Sequence, residues 1–313
     1  MRCLTPVDID IYPDNPLYQM YRDEGISKIS VPCGKCAACR NARSTEWSIR
    51  LKDEWHNSQS ALFVTLTYND ESLPIGQVCD SFGHSRFVPV LNMDDISAFI
   101  KRLRDRIRYR FGKAASDKIR FYFGGEYGPT TLRPHYHGII FNLPLENQDL
   151  SRKDYEIITQ IEKSWSNGFI RVEPVKDGCV NYITKYMLAA SYYPEYLPVP
   201  CPRMSRRPGI GACYLEKSER IDWYKRTMSN YYPLPNGVKC RLPRYYKDKI
   251  FSESEKELLS QLDLARKQDF EAYLDNLRRV EPEAFKAYIK NEELKRFNFL
   301  RKFEKHVKTR KDL

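Results

Sequence analysis

Two histidines separated by one residue are the first feature that points to chemistry. His135 and His137 lie in RPHYHGIIF (133–141), whose apolar and β-branched residues predict a strand. Residues i and i+2 point to the same face of a strand, so the two imidazoles could bind one divalent metal ion. The chain has only five histidines, but the pattern is also compatible with two partly exposed histidines on a sheet.

A carboxylate stands shortly before this strand. Glu126 directly follows IRFYFGG (119–125), which predicts a second strand. If the two strands pair antiparallel, Glu126 comes close to the histidines and is a candidate third ligand. Taken alone, a solvated carboxylate in a turn is the simpler interpretation of this residue.

Two tyrosines and a lysine occur at helical spacing. The stretch YITKY (182–186) places Tyr182, Lys185 and Tyr186 on one face of a helix. A phenol with a pKa of ~10 is a poor nucleophile at neutral pH. It becomes effective where a metal ion polarises the phosphate and a cation balances the charge. In isolation, an amphipathic helix with two core tyrosines and a solvated lysine is the simpler interpretation.

The two groups of residues complement each other. A site of two histidines and a glutamate needs a nucleophile, and a helix with two tyrosines could supply one. Attack on a DNA phosphodiester would leave a 5′-phosphotyrosine and a free 3′-OH. This linkage keeps the energy of the broken bond, so a 3′-OH could later reverse the reaction without ATP. Two tyrosines could alternate, one holding an old end while the other cuts.

The elements that position these residues follow a regular order. Strands are predicted at 62–68, 119–125, 135–141 and 169–175. Helices are predicted after the first and third strands, and a further helix near 179–190 follows the last. The order β-α-β-β-α-β predicts an α+β fold with an antiparallel, ferredoxin-like sheet. Two helices cover one face, and the other face stays free for a ligand or a further element.

A cysteine cluster near the N-terminus suggests a second metal. The chain has nine cysteines and no apolar signal stretch at its start, which favours metal ligation over disulfides. Cys33, Cys36 and Cys39 could share one zinc ion, with Cys3 as the candidate fourth ligand. An iron–sulfur cluster is a competing interpretation, although Arg43 occupies the position of the next expected cysteine. Free buried cysteines are a third.

The charge balance indicates a polyanionic partner. Lysine and arginine number 52 against 41 acidic residues, a net charge of +11, and 22 tyrosines could stack on unpaired bases. Arg40, Arg43, Arg206 and Arg207 are candidate DNA contacts, though a solvated charged face fits each of them equally well. No apolar run reaches 18 residues, so no membrane span is expected.

Three motifs in this order resemble a known superfamily. FVTLTY (63–68), the His135–His137 pair and YITKY (182–186) resemble the HUH endonucleases, in particular the two-tyrosine replication initiators of the microviruses. Four further stretches resemble the gokushovirus branch: VPCGKCAAC (31–39), RPHYHGIIF (133–141), SRRPGIG (205–211) and LPRYYKDKIF (242–251). The resemblance covers most of the chain up to about residue 251.

The resemblance implies both an activity and a setting. The two histidines, with Glu126 as the expected third ligand, would bind Mg²⁺ or Mn²⁺. Tyr182 and Tyr186 would be paired nucleophiles, and Lys185 would position the ion or the phosphate. FVTLTY would be a central strand beside the histidine strand. The implied biology is rolling-circle replication, begun by nicking single-stranded DNA at the viral origin in the cytoplasm of a bacterial host.

Four segments are expected along the chain. Residues 1–60 hold the cysteine cluster and a helix that packs on the core, and 61–190 form the nicking core. Residues 191–251 form a Pro/Arg/Tyr-rich extension, and 252–313 a charged helical tail that Ser252 and Glu255 begin as a capping box. The chain has no G-x-x-x-x-G-K-[ST] motif, which predicts that a host helicase unwinds the DNA.

Two other functions remain open at this point, as does the oligomeric state. The same sheet could form a non-catalytic module that stacks single-stranded nucleic acid on its histidines and tyrosines. Alternatively, a metal-dependent phosphodiesterase could use water as the nucleophile, with structural tyrosines.

Overall fold

A computed structural model describes most of the chain. The described residues are 3–14, 18–23, 25–128, 130–145, 154–189, 193–194, 196–199, 201–234 and 237–308. The chain forms two compact units. The flanking unit extends over Met1–Glu46 and Lys217–Thr309, and the core unit over Trp47–Glu216.

The helices and strands alternate along the chain. The first elements are β1 (Val7–Asp10), α1 (Tyr18–Asp23), β2 (Lys28–Val31) and α2 (Ala37–His56). Next come β3 (Ala61–Tyr68), β4 (Ile75–Cys79), β5 (Ser85–Pro89), α3 (Met93–Phe111), α4 (Lys113–Lys118), β6 (Arg120–Tyr127), β7 (Pro134–Phe141), α5 (Tyr155–Ser164), β8 (Gly168–Pro174), α6 (Asp177–Ala189) and β9 (Arg203–Met204). The last are α7 (Ser218–Thr227), β10 (Tyr231–Pro233), β11 (Lys239–Arg241), α8 (Arg244–Ile250), α9 (Glu253–Val280) and α10 (Pro282–Lys308).

A five-stranded antiparallel sheet forms the centre of the core unit. Its strand order is β8-β3-β7-β6-β9. The α+β class and the element order β-α-β-β-α-β, followed by a helix, are as predicted, since β3, α3, β6, β7, α5, β8 and α6 follow one another. The β4–β5 hairpin between β3 and α3, and the edge strand β9, were not predicted.

Helices α3 and α5 cover one face of the sheet. Alternate residues of β3 point to them, so Leu62, Val64 and Leu66 are fully buried in a cluster with residues of α3 and α5. The apolar positions predicted for α3 are all buried: Ile96, Phe99, Ile100, Leu103 and Ile107. Their spacing, rather than helix propensity, fixes the side of α3 that packs on the sheet.

Two buried phenols fasten the start of α3 to this face. The Tyr68 hydroxyl donates to Asp95 Oδ2 at 2.6 Å, and the Tyr136 hydroxyl accepts from the Asn92 backbone N–H at 2.8 Å. Burial raises the pKa of Tyr136 to about 12 and raises that of Tyr68 further, so both stay neutral. Asn92 caps α3 as predicted. The predicted pairing of Asn92 with Asp95 as a cap is wrong, because the Asp95 carboxylate serves Tyr68.

The opposite face carries α6 and the second part of α2. Val180 and Ile183 of α6 and Leu51 of α2 are buried in a second cluster with Phe63 and Ile139 of the sheet. Residues of β3 therefore alternate between two apolar layers, one on each face of the sheet. The face that the sequence leaves free for a further element is the face on which α6 lies.

Gly138 allows β7 to lie against its neighbour. A Cβ atom at this position would come within 2.2 Å of the Phe123 ring. Gly138→Ala is therefore expected to destabilise the protein by about 1–3 kcal/mol through overpacking. Urea denaturation should show a lower midpoint. Gly178→Ala is the matched control because a Cβ there meets nothing within 4 Å, and it should leave the midpoint unchanged or raise it. Equal midpoints for the two variants would contradict this packing.

The flanking unit is built from two hairpins and the C-terminal helices. β1 pairs with β2 and β10 with β11. The predicted capping box of Ser252 and Glu255 is present at the start of α9. The tail is two long helices, α9 and α10, and Pro282 begins the second. Among the described residues, no helix has the length and apolar character needed to cross a membrane.

Candidate active site

The strand register brings Glu126 to the two histidines. Glu126 on β6 lies directly opposite His135 on β7, and Gly124 opposite His137. Glu126 Oε2 lies 3.2 Å from His135 Nε2 and 3.5 Å from His137 Nε2. Glu126 and His137 are buried, and His135 is partly buried. The antiparallel pairing expected from the sequence thus places the carboxylate between two imidazole nitrogens.

Hydrogen bonds on the far side of each ring orient the imidazoles. His135 Nδ1 lies 3.2 Å from the Arg133 carbonyl oxygen, which can only accept, so Nδ1 carries a proton. His137 Nδ1 forms a 3.0 Å hydrogen bond with Thr65 Oγ1. Thr65 lies on β3 directly opposite His137. Both rings therefore turn Nε2 towards Glu126, in the way that partners of metal-binding histidines orient the ring.

The donor set suits a divalent cation. Each of the three side chains offers one ligand atom, and these atoms lie within 4.8 Å of one another. Two ligands at right angles on an ion, each at about 2.1 Å, lie about 3.0 Å apart, which is close to the observed separations. A carboxylate oxygen and the lone pairs of neutral imidazoles repel unless protons or a cation lie between them. Two nitrogens and one oxygen suit Mn²⁺ as well as Mg²⁺.

Tyr182 lies beside this group on the same face of the sheet. Its ring centroid is 5.1 Å from that of His137 and 6.1 Å from that of Phe63. The burial of Val180 and Ile183 fixes α6 against the sheet, while Tyr182 remains 41% exposed. Tyr68 and Tyr136, on the other face, are buried and hydrogen-bonded to the start of α3. The tyrosine next to the imidazoles is thus one that a ligand in solution can reach.

Lys185 and Tyr186 lie in the same helix. α6 includes both, one turn after Tyr182. Residues four apart project from the same side of a helix. The side chains of Lys185 and Tyr186 lie outside the described part of the structure, so their predicted roles stay predictions.

The four predicted cysteines come together in the flanking unit. The sulfurs of Cys3, Cys33, Cys36 and Cys39 all lie within 4.8 Å of one another. The hydroxyl of Thr5 donates to Cys33 Sγ, and this bond is the main cause that lowers the pKa of Cys33 to about 6. α2 begins at Ala37, between the second and third cysteines of the motif, and not near residue 44 as predicted.

The candidate DNA-binding arginines are distributed over both units. Arg40 and Arg43 lie on α2 in the flanking unit, and Arg206 and Arg207 are exposed in the core unit. None of these positions defines a contact with DNA, so this role stays a prediction.

Thr65 is a site residue that sequence reasoning missed. It belongs to the FVTLTY motif, in which polar residues alternate with buried ones along β3. Thr65 and Thr67 lie opposite His137 and His135. This alternation is the signal that could have placed both hydroxyls on the histidine face.

Comparisons with known proteins give a consistent result. A sequence model of the Replication-associated protein ORF2 family matches residues 61–191. The chain is 31% identical over 294 residues to Replication-associated protein ORF2 of Spiroplasma virus 4, covering 90% of this chain and 87% of the relative. It is 29% identical to Replication-associated protein VP4 of Bdellovibrio phage phiMH2K, covering 79% and 76%. No solved structure matches the chain significantly.

Proposed function

This chain belongs to the replication-associated proteins of the microviruses, and on that premise we propose that it nicks and rejoins single-stranded viral DNA through a tyrosine. The order of the core sheet supports its assignment to the ferredoxin-like HUH fold, because β3, β6, β7 and β8 are arranged as strands 4-1-3-2 of such a sheet. The product is a 5′-phosphotyrosine, and the setting is rolling-circle replication in the host cytoplasm.

One observation carries this proposal. The exposed phenol of Tyr182 lies against His137, which with His135 and Glu126 forms a convergent set of ligand atoms. A nucleophile and a cation-binding group thus share one face of the sheet. A module that only stacks bases needs neither a buried carboxylate between imidazoles nor a phenol next to them.

The ligand set defines what an ion does here. His135, His137 and Glu126 would hold Mg²⁺ or Mn²⁺, which supplies positive charge to polarise the scissile phosphate and neutralise its developing charge. The buried position of Glu126 keeps its charge at the site. The bonds from Arg133 and Thr65 hold the two rings in place before DNA arrives.

The tyrosine performs the bond exchange. The phenolic oxygen of Tyr182 attacks the phosphorus, a new P–O bond forms, and the bond from phosphorus to the 3′ oxygen breaks. The phenol loses its proton and the leaving 3′ oxygen gains one, so the reaction needs no co-reactant. A later attack by a 3′-OH on the phosphotyrosine reverses these changes and rejoins the strand.

The second tyrosine extends this chemistry to a full replication cycle. Tyr186 lies one helical turn from Tyr182, so it can cut the new strand while Tyr182 holds the old end. Lys185 provides the balancing cation. Arginines of both units, among them the four predicted from the sequence, contact the DNA backbone, and a host helicase separates the strands.

Covalent capture tests the proposal against its two alternatives. The protein is incubated with single-stranded DNA labelled at the 3′ end and with Mn²⁺, and the mixture is run on a denaturing gel. A tyrosine nickase gives a labelled protein–DNA adduct. Cleavage without an adduct indicates that water attacks, and an uncleaved strand that binds indicates a non-catalytic module. Only the first result agrees with the proposal.

Thr65 is expected to act as a positioning residue through His137. Thr65→Val removes the hydrogen bond to His137 Nδ1 and should raise the Mn²⁺ concentration required for nicking by about 10- to 100-fold. Thr65→Ser should restore the normal requirement. Thr67→Val is the matched control, since Thr67 Oγ1 donates to the Phe169 carbonyl and not to a histidine. Equal shifts of the metal titration for the two valine variants would contradict this role.

A further inference from the structure

We propose that Cys3, Cys33, Cys36 and Cys39 bind one zinc ion in a closed structural site of the flanking unit. This site differs from the group formed by Glu126 and the two histidines, which lies in the core unit. It goes beyond the nicking activity, because a fully coordinated ion offers no position to a substrate.

The distances between the sulfurs are those of a tetrahedral site. Cys3 Sγ lies 3.6 Å from Cys33 Sγ and 3.7 Å from Cys36 Sγ, and all four sulfurs lie within 4.8 Å of one another. With Zn–S bonds of about 2.3 Å, two ligands of a tetrahedral ion lie about 3.8 Å apart. A disulfide requires sulfurs about 2.05 Å apart. All nine cysteines, each in the described part of the chain, are free thiols.

The backbone around the cluster supports thiolate ligands. Gly34 has φ +72°, a conformation that favours glycine, and it turns the chain so that the N–H groups of Lys35 and Cys36 donate to Cys33 Sγ at 3.4 and 3.3 Å. The N–H of Leu4 donates to Cys36 Sγ at 3.4 Å. Hydrogen bonds of this kind stabilise negative sulfur, so two sulfurs of the cluster lie in a backbone cradle for a bound cation.

The compact cluster favours one ion over an iron–sulfur cluster. In a four-iron cluster each thiolate binds a different iron, so its sulfurs lie farther apart than those that share a single ion. Four sulfur ligands around one ion are a common set for structural zinc. The iron–sulfur interpretation that the sequence leaves open is therefore the weaker one.

The ion would tie the N-terminal segment to the start of α2. Cys3 is 30 residues from Cys33 in the sequence, and the β1–β2 hairpin lies between them. Cys39 lies in the first turn of α2. Binding would replace the thiol protons with the ion, so the free energy of binding contributes to folding of this segment.

Metal analysis and cobalt spectroscopy of the full chain test the site. Protein purified with zinc in the medium should carry one zinc per chain, and replacement by Co²⁺ should give the absorption of tetrahedral thiolate cobalt. Cys36→Ser should lose the zinc and the spectrum. Cys79→Ser, at an exposed thiol of the core unit, should keep both, as should His137→Ala.

Each alternative has a distinct result. Iron with acid-labile sulfide would replace the zinc site by an iron–sulfur cluster. Absence of zinc and of a cobalt thiolate spectrum in the unaltered protein would overturn the proposal without affecting the nicking activity. The spectrum of the unaltered protein and of Cys3→Ser keeps the test valid if Cys36→Ser does not fold, because residue 3 lies at the end of the chain. Zinc retained in Cys3→Ser at full stoichiometry and unchanged affinity would contradict four-cysteine ligation.

Discussion

A protein with both Tyr182→Phe and Tyr186→Phe is expected to form no covalent adduct with single-stranded DNA. Phenylalanine keeps the ring that contacts His137 and Phe63 but has no oxygen to attack phosphorus. We expect nicking to fall by at least about 10³-fold, which corresponds to about 4 kcal/mol of lost transition-state stabilisation. The measurement is the fraction of labelled DNA that runs with the protein on a denaturing gel.

Single variants and a matched tyrosine sharpen this prediction. Each single variant should retain part of the activity, because either phenol can take up one phosphate. Tyr155→Phe alters another exposed tyrosine of the core unit and should leave the adduct at its normal level. An undiminished adduct in the double variant would show that another residue is the nucleophile. Loss of the adduct in Tyr155→Phe as well would point to a general effect on folding.

Removal of either imidazole is expected to have a similarly large effect. His135→Ala and His137→Ala each take one ligand atom from the group around Glu126, and nicking with Mn²⁺ should fall by about 10³-fold. Glu126→Gln keeps the shape of the side chain but removes its charge, so its loss should be partly recovered at high metal concentration. The measurement is the initial rate of nicking as a function of Mn²⁺ concentration.

His84 provides the control for these variants. It is exposed in the turn between β4 and β5 and interacts with Asp80, so His84→Ala should keep the normal rate. Circular dichroism should show the normal fold for all variants. If His135→Ala and His137→Ala nick at the normal rate, or if nicking proceeds fully in the presence of EDTA, the role of this group in metal binding is wrong.

Local patterns of the sequence predicted the elements that hold the site. The alternation along FVTLTY, the pair of histidines on β7 and the helical spacing in α3 each depend on neighbours within one element, which a sequence displays directly. The position of Glu126 required one further assumption, that β6 and β7 pair antiparallel, and the register of the two strands meets it.

Contacts between distant parts of the chain could not be predicted in this way. The bond from Thr65 to His137 joins residues 72 positions apart. The edge strand β9 has two residues and therefore no periodic signal. Asp95 resembled a helix cap because its spacing from Asn92 fits one, but the hydroxyl of Tyr68 binds its carboxylate. In each case tertiary pairing determines the result.

Mass spectrometry of the protein–DNA adduct tests the central claim most directly. After nuclease treatment and proteolysis, the nucleotide-bearing peptide should contain residues 182–186, with the phosphate on Tyr182 or Tyr186 and the DNA attached through its 5′ end. A phosphate on a residue outside α6, or attachment through a 3′ end, would contradict the account.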